Sequence, residues 1–212
     1  YESPLTLLVL QSVVLGLGAL PAFWLARDHL DSALAGLVFA AAYLLAPAVE
    51  GANLSDFHGV SLTASLLLYA LYFLHRRRFV AFFALALLAM SAKEDIPLLV
   101  AMIGLYAALF MHEWVVGAAT ATLGLGWFLV CIGVILPYYN GLPTSPFFQR
   151  ATIFGPTIKD SVLNLLRDPL PLWHWLRRPA VLVYLTGLLA SAGFMSLFSP
   201  AILALSAPVV AM

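Results

Sequence analysis

Charge is scarce in this sequence: charged residues make up 9% of its 212 residues, and hydrophobic residues make up 63%. A soluble domain contains about 25% charged and about 45–50% apolar residues. The mean hydropathy of +1.01 agrees with the composition. Ten basic residues balance ten acidic residues, so the chain has no net positive field that would attract nucleic acid. The composition therefore indicates an integral membrane protein.

Cysteine is almost absent, since Cys131 stands alone within an apolar run. This excludes a disulfide framework and a thiolate metal cluster, and it predicts that Cys131 packs as a small hydrophobe. The sequence also lacks a glycine-rich phosphate loop, a nucleophile elbow and a zinc-protease helix. The chain opens on Tyr1 without a charged leader and closes within an apolar run, so we expect residues 1–212 to be a single transmembrane domain and a fragment of a larger membrane protein.

Long apolar runs, interrupted by short polar segments, predict an all-α fold. The run 33–74 would extend for ~63 Å as one helix, about twice the ~30 Å core of a bilayer, so it must break at Pro47 and the polar segment 50–59. The run 79–111 breaks at residues 93–95 for the same reason. We predict a polytopic transmembrane helix bundle of about seven spans plus a partial eighth. The predicted spans cover residues 3–26, 33–49, 60–74, 79–92, 96–111, 114–139 and 180–198, and the partial eighth begins at Ser199-Pro200.

Residues 140–178 differ in composition, because prolines and charges recur there. Thr157 and Asp160 have the spacing of a capping box ahead of an apolar stripe. We predict a short amphipathic helix over 157–168 that lies on the membrane surface. Trp173 and Trp175 are typical of an aromatic belt at the interface.

The spans predict which polar segments share a side. Alternation places 50–59, 93–95 and 140–178 on one side, and 27–32, 75–78 and 112–113 on the other. The short loops of the second side carry four arginines, at 27, 76, 77 and 78, whereas those of the first carry only Lys93. The positive-inside rule then places the first side on the outer face of the plasma membrane. If the basic residues of the long segment 140–178 are counted as well, the first side carries more basic residues than the second.

Two polar segments are predicted to meet on this outer side. Spans 60–74 and 79–92 are joined by a short basic turn, so they pack as antiparallel neighbours and bring 50–59 level with 93–95. Both spans cover only ~21–23 Å of a ~30 Å core. Either the bilayer thins there or the polar ends lie in a watery recess, and charged groups at that depth usually mark function.

The residues of these segments allow several interpretations. Asp56 and His58 share a face only in an extended strand, which suits two metal ligands or an acid that orients an imidazole. It equally suits Asp56 as a helix N-cap with His58 at the interface. Glu94 and Asp95 also suit the start of a helix, and Lys93 is then expected to pair with Glu50 or Asp56.

Other polar and small residues favour structural roles. The remaining histidines are predicted to be interfacial, and the arginines of the turn 76–78 to be topology anchors. Gly117 and Ala121 form a small-xxx-small pair that permits close helix packing. The histidines concerned are His29, His75, His112 and His174.

Three segments carry a resemblance to a known family: SPLTLL at 3–8, GANLSDFH at 51–58 and KED at 93–95. They resemble a bacterial and archaeal domain-of-unknown-function family of polytopic membrane proteins, which is grouped with the GT-C-type glycosyltransferases. Those enzymes transfer a sugar from a polyprenyl-phosphate carrier at the outer membrane face. The chain departs from the family pattern at Ser55, where an aromatic is usual, and at Gly59, where proline is usual. The resemblance also implies an essential outer-loop acid that would precede Tyr1.

The hypothesis that follows is a GT-C-like membrane glycosyltransferase whose partners are the bilayer and a lipid-linked sugar donor. It assigns catalysis to Asp56, His58 and Glu94. Asn53, Lys93 and Asp95 would bind substrate, with Lys93 neutralising the donor phosphate. Asp56, His58 and Glu50 would hold a divalent cation, Mg²⁺ or Mn²⁺.

Two other classes stay open. A transporter or flippase would use intramembrane charges to bind substrate or relay protons, and a structural subunit would use every charge as a cap or an anchor. The sequence has no inverted repeat of the kind that favours transport. Acidic clusters gathered on the outer face favour the enzyme.

Overall fold

The computed structural model describes residues 3–140, 160, 163–164, 167–168 and 170–191. Over these residues the chain is helical and forms no strand, as the apolar runs predict. The helices are α1 (Pro4–Leu17), α2 (Ala19–Leu30), α3 (Ala33–Leu44), α4 (Pro47–Leu54), α5 (Ser61–His75), α6 (Phe79–Met90), α7 (Ile96–Leu109), α8 (Trp114–Val130), α9 (Leu136–Asn140), α10 (Leu170–Leu176) and α11 (Pro179–Ser191).

Helices α1 and α2 form one apolar stretch with a break at Gly18. Ser3 accepts a hydrogen bond from the N–H of Leu5, and Pro4 fits the first turn of α1 because its N–H is not needed there. Pro21 cannot donate to the carbonyl of Leu17, and the Tyr69 hydroxyl donates to that carbonyl instead at 3.0 Å. The stretch Leu5–Leu30 has 26 residues and is long enough to cross a membrane, so the predicted span 3–26 continues four residues further.

Pro47 breaks the next apolar run, as predicted, but the chain then returns to a helix. Proline at the first position of α4 starts a new helix that is bent by 45° from α3 and continues to Leu54. The predicted helix end at residue 49 is therefore wrong, because residues 50–54 are also helical. Glu50 lies in the first turn of α4, where a carboxylate is favoured by the helix dipole.

Helices α5 and α6 form a tight antiparallel hairpin against α7. The N–H of Arg77 donates to the carbonyl of Leu74, and the N–H of Arg78 donates to that of Phe73, which is a Schellman ending with Arg77 at a φ of 55°. Phe82 of α6 is fully buried in the core that these helices share. The hairpin thus holds its two open ends at one end of the bundle and the basic turn at the other.

Close helix packing at Gly117 is confirmed. A Cβ on Gly117 would lie 2.6 Å from the carbonyl oxygen of Gly104, and a Cβ on Gly104 would lie 2.5 Å from the backbone nitrogen of Ala121. Backbones of α7 and α8 meet there without intervening side chains, as small residues permit in membrane helices.

The helix that begins with α8 changes its winding near its end. Residues Cys131–Ile135 form a π-helical turn before α9 begins. Pro137 has no N–H for the carbonyl of Gly133, and a locally widened turn accommodates that loss. Apolar helix nevertheless runs from Trp114 to Tyr139 over 26 residues, in agreement with the predicted span 114–139. Cys131 is buried, as expected for a small hydrophobe.

Among the described residues, two helical stretches are long and apolar enough to cross a membrane, or three if the bent pair α3–α4 counts as one span. Helices α5, α6 and α7 are apolar but have only 15, 12 and 14 residues. At ~1.5 Å per residue they cover roughly 18–23 Å. Seven spans plus a partial eighth stay a prediction.

The chain divides into two compact units, Tyr1–Gly124 and Leu125–Met212. In the second unit, α10 lies between the predicted surface helix 157–168 and the predicted span 180–198, where no helix is predicted from the sequence. The Arg177 guanidinium lies 4.6 Å from the ring centre of Trp173. Helix α11 begins one residue before the predicted span 180–198 and is described as far as Ser191. Most of the predicted surface helix 157–168 lies outside the described residues, as does the partial eighth span at 199–200.

Candidate functional site

A fully buried glutamine in α1 holds the polar segment that precedes α5. The Gln11 Nε2 donates to the carbonyl of Ala52 at 2.7 Å, and its Oε1 accepts from the N–H of His58 at 3.1 Å. A buried amide that lost these partners would cost roughly 1–3 kcal/mol. Gln11 therefore fixes the end of α4 and the approach to α5 against α1.

The neighbouring serine contacts the same segment. The Ser12 hydroxyl donates to the Oδ1 of Asn53 at 2.6 Å, while the Ser55 hydroxyl donates to the carbonyl of Ala52 at 2.9 Å. With its Oδ1 occupied, Asn53 keeps its amide N–H groups for a ligand. Asn53 is exposed, so these donors face the surroundings of the bundle end.

His58 is oriented by a backbone carbonyl. Its Nδ1 lies 2.7 Å from the carbonyl oxygen of Asp56. A carbonyl can only accept, so Nδ1 carries the proton, and in the neutral ring Nε2 carries the lone pair. The Asp56 carboxylate is exposed, and two of the three interpretations that the sequence left open for it do not apply. It does not orient the imidazole, and Val60 rather than Asp56 is the N-cap of α5.

The second polar segment is internally paired. The Lys93 ammonium lies 2.7 Å from the Oδ2 of Asp95, so the expected pairing of Lys93 with Glu50 or Asp56 is wrong. Asp95 is the N-cap of α7 but makes no side-chain capping bond. Its Oδ1 is buried and has no hydrogen-bond partner in the part of the chain that the structure describes. Glu94 is partly buried.

Antiparallel packing of α5 and α6 brings the two segments to the same end of the first unit, because one precedes α5 and the other follows α6. In the described ranges no hydrogen bond or ion pair joins them. No three His, Cys, Asp or Glu side chains of those ranges are arranged to hold a metal ion. The predicted cation set of Glu50, Asp56 and His58 is therefore not assembled in this conformation.

The opposite end of the unit gathers the basic loops, which confirms that 27–32, 75–78 and 112–113 share a side. Arg76 lies 3.0 Å from Asp28, and Arg77 lies 3.0 Å from Glu113. A hydrogen bond with the Tyr72 hydroxyl, and then the charge of Asp28, raise the pKa of Arg76 above its ordinary value. The arginines thus connect helices, beyond the anchoring role that the sequence predicts.

Two of the histidines also do more than mark an interface. The rings of His29 and His75 lie in an edge-to-face contact with centroids 5.0 Å apart. The Nδ1 of His75 bonds to the carbonyl of Leu71, and its Nε2 lies 3.3 Å from the Tyr106 hydroxyl. These contacts tie α2, α5 and α7 together.

Sequence reasoning missed Gln11, although the sequence holds a signal for it. Gln11 and Ser12 interrupt an apolar run in the middle of a predicted span. Polar side chains within a membrane helix need partners from the protein, because lipid offers none. A polar pair there predicts a contact with another polar segment of the protein, and the structure shows that this segment is 50–59.

The all-α fold and the long apolar helices define the class of protein as an integral membrane protein. The chain belongs to the family described as predicted membrane protein (DUF2079), whose model matches residues 1–212. No curated protein and no solved structure matches the chain. The resemblance to a domain-of-unknown-function membrane family is thereby confirmed, and the link to GT-C-type enzymes stays a prediction.

Proposed function

We propose that the chain is a GT-C-like membrane glycosyltransferase, which transfers a sugar from a polyprenyl-phosphate donor at the outer face of the plasma membrane. The observation that supports this most is the hydrogen bonding of the His58 ring, which determines which nitrogen carries the proton. Its Nδ1–H is bonded to the carbonyl of Asp56, on a segment that Gln11 holds in place. The Nε2 lone pair is therefore free to act as a general base.

In the proposed reaction, the acceptor oxygen forms a bond to the sugar C1 while the bond from C1 to the phosphate oxygen breaks. The Nε2 of His58 takes the proton of the acceptor hydroxyl, and the electron pair of the broken bond leaves on the phosphate. Charge develops on that phosphate, and a positioned cation stabilises it. Lys93 supplies this cation at the same end of the hairpin as His58.

The remaining residues bind and orient. Asn53 offers its amide donors to sugar hydroxyls, and Asp95 fixes the Lys93 ammonium through their 2.7 Å ion pair. Asp56 and Glu94 accept hydrogen bonds from the acceptor and complete the proposed catalytic set. Among the described residues, Glu50, Asp56 and His58 are not arranged to hold a metal ion together, and side chains carry each step given above.

The proposed topology is the seven-span bundle with a partial eighth span, in which 50–59, 93–95 and 140–178 face outward. Helices α5 and α6 are shorter than a ~30 Å bilayer core, so their polar ends lie in a recess below the surface. A recess gives a lipid-linked phosphate access from the bilayer and an acceptor access from water. Trp173 and Trp175 would guide the polyprenyl chain at the interface.

The test is turnover in membrane vesicles supplied with radiolabelled polyprenyl-phosphate-linked hexoses and pentoses. We expect His58→Asn to lower turnover by about 10²–10⁴-fold, which is the usual contribution of a general base. Asp56→Asn is expected to lower it as well. The matched control is His112→Asn at the opposite end of the unit, where φ is 58° and asparagine tolerates the backbone conformation.

Unchanged turnover in both His58→Asn and Asp56→Asn would remove the catalytic roles proposed for these residues. Proteoliposomes provide the second measurement. A solute flux that disappears in Lys93→Gln, without any sugar transfer in the wild type, would identify a transporter in place of the enzyme.

A further inference from the structure

The turn between α5 and α6 carries a positive charge that the fold does not neutralise. We call Arg76–Arg78 the arginine turn. Arg76 pairs with Asp28, and Arg77 pairs with Glu113. The Arg78 guanidinium has neither a hydrogen bond nor an ion pair to any residue that the structure describes. The turn therefore offers one guanidinium whose donors are unused.

Arg78 also lines a cavity. The cavity has a volume of about 330 Å³, and its lining consists of Tyr72, Arg76 and Arg78. Ligand sites commonly have volumes of ~300–1,000 Å³, so a small polar group fits. We call this space the arginine cavity.

The lining presents hydrogen-bond donors. Both guanidinium groups only donate, and the Tyr72 oxygen already accepts from the Nε of Arg76 at 3.3 Å, which leaves its O–H free to donate. The carboxylate that pairs with Arg76 belongs to Asp28, and it is engaged by Arg27 through Oδ1 and by Arg76 through Oδ2. Asp28 lines a separate cavity of about 240 Å³, not this one.

The start of α6 adds a second, independent preference for negative charge. Arg78 is the N-cap of α6 and makes no side-chain capping bond. The N–H groups of Phe79, Val80 and Ala81 bond to no acceptor among the described residues. Uncapped N–H groups and the helix dipole together attract anions.

We propose that the arginine cavity binds a phosphate group, carried either by an anionic lipid or by a free phosphate compound. Guanidinium groups match phosphate oxygens through paired hydrogen bonds. Arginines that served only as solvated topology anchors would not need to line a common cavity. The cavity lies at the end of the α5–α6 hairpin opposite His58, so this inference stands independently of the proposed glycosyl transfer.

The test measures equilibrium binding to the purified full chain in micelles of an uncharged detergent. One arm compares dioctanoyl phosphatidic acid with dioctanoylglycerol, which has the same chains and no phosphate. The other arm uses inorganic phosphate. We expect phosphatidic acid to bind at least about tenfold more tightly than dioctanoylglycerol, and Arg78→Gln to remove about tenfold, the usual effect of a charged hydrogen bond.

The matched control is Arg77→Gln, which removes the same charge from the same turn but does not line the cavity. We expect it to change binding less than about twofold, since an exposed charge acts weakly at a distance in salt. The Arg78 guanidinium makes no hydrogen bond or ion pair with the described residues, so we expect Arg78→Gln to fold, and thermal melting in the same micelles checks this. Binding of the lipid alone would indicate a headgroup site, and binding in both arms a site for free phosphate compounds. Equal losses in the two variants, or no phosphate-dependent binding in either arm, would overturn the proposal.

Discussion

Gln11 is the residue on which the candidate site depends most. Its amide bridges the end of α4 and the N–H of His58, and the side chain is fully buried. Water cannot replace these partners at such a position, so the amide both stabilises the segment and fixes where His58 lies. At the residue scale, the same side chain therefore stabilises the fold and positions the candidate site.

Replacing Gln11 with leucine is expected to lower the free energy of unfolding by about 1–3 kcal/mol, because a backbone carbonyl and a backbone N–H lose their partner. The measurement is unfolding in micelles by denaturant. Ser12→Ala serves as the matched control, since it removes a hydrogen bond to the same segment from an exposed residue, and we expect a loss below about 1 kcal/mol. A Gln11→Leu protein as stable as the wild type would contradict the bridging role.

Residue types at the site could be predicted from the sequence, whereas their partners could not. Asp56 and His58 stand out because polar residues are rare here, but their spacing does not fix where each side chain points. The structure shows that the backbone of Asp56, not its carboxylate, contacts the imidazole. Lys93 likewise pairs within its own segment, because Asp95 is two residues away and needs no tertiary contact.

At the scale of elements, the break at Gly18 determines how α1, α3 and α5 approach one another. The Tyr43 hydroxyl lies 3.1 Å from the carbonyl oxygen of Leu15 and 3.1 Å from the Ser65 hydroxyl. A Cβ on Gly18 would lie 2.3 Å from the Tyr43 hydroxyl and 2.6 Å from that of Ser65. The hydrogen-bonded junction therefore requires a residue without a side chain.

Gly18→Ala is expected to destabilise the protein by about 1–3 kcal/mol, the usual cost of forcing a methyl group into a packed site. Gly16→Ala is the control two residues away, because nothing lies within 4 Å of a Cβ at that position. Alanine is favoured over glycine in a helix by about 0.5–1 kcal/mol, so Gly16→Ala should be neutral or stabilising. Unfolding curves of the two variants in micelles give the comparison, and equal stabilities would refute the packing described.

The ends of helices that lie next to charged turns could be predicted well from the sequence. Turns such as 75–78 and 93–95 cannot lie in lipid, and they place the ends of α5, α6 and α7 within a few residues. Two features of the helices could not be predicted from the sequence, and both depend on a proline. Pro47 permits a new helix as readily as it ends the old one, so α4 was unforeseen. The π-helical turn before Pro137 depends on how the helix absorbs a missing N–H, which sequence alone does not determine.

At the scale of the first compact unit, the α5–α6 hairpin separates two kinds of polar surface. Asn53, Asp56 and His58 lie at its open end, together with the Lys93–Asp95 pair, while the arginine turn and its partners lie at the closed end. The separation follows from the order of residues along the chain and from antiparallel packing. Which of the two ends faces outward stays a prediction from the positive-inside rule.

The most direct test of the account measures two distances by double electron–electron resonance on spin-labelled protein in a Cys131→Ser background. One pair of labels replaces Asp56 and Glu94, which lie at the same end of the hairpin. The control pair replaces Asp56 and Arg78, which the full length of α5, ~22 Å, separates. We expect the 56–94 distance to be clearly the shorter one. A 56–94 distance equal to or longer than the 56–78 distance would contradict the shared site.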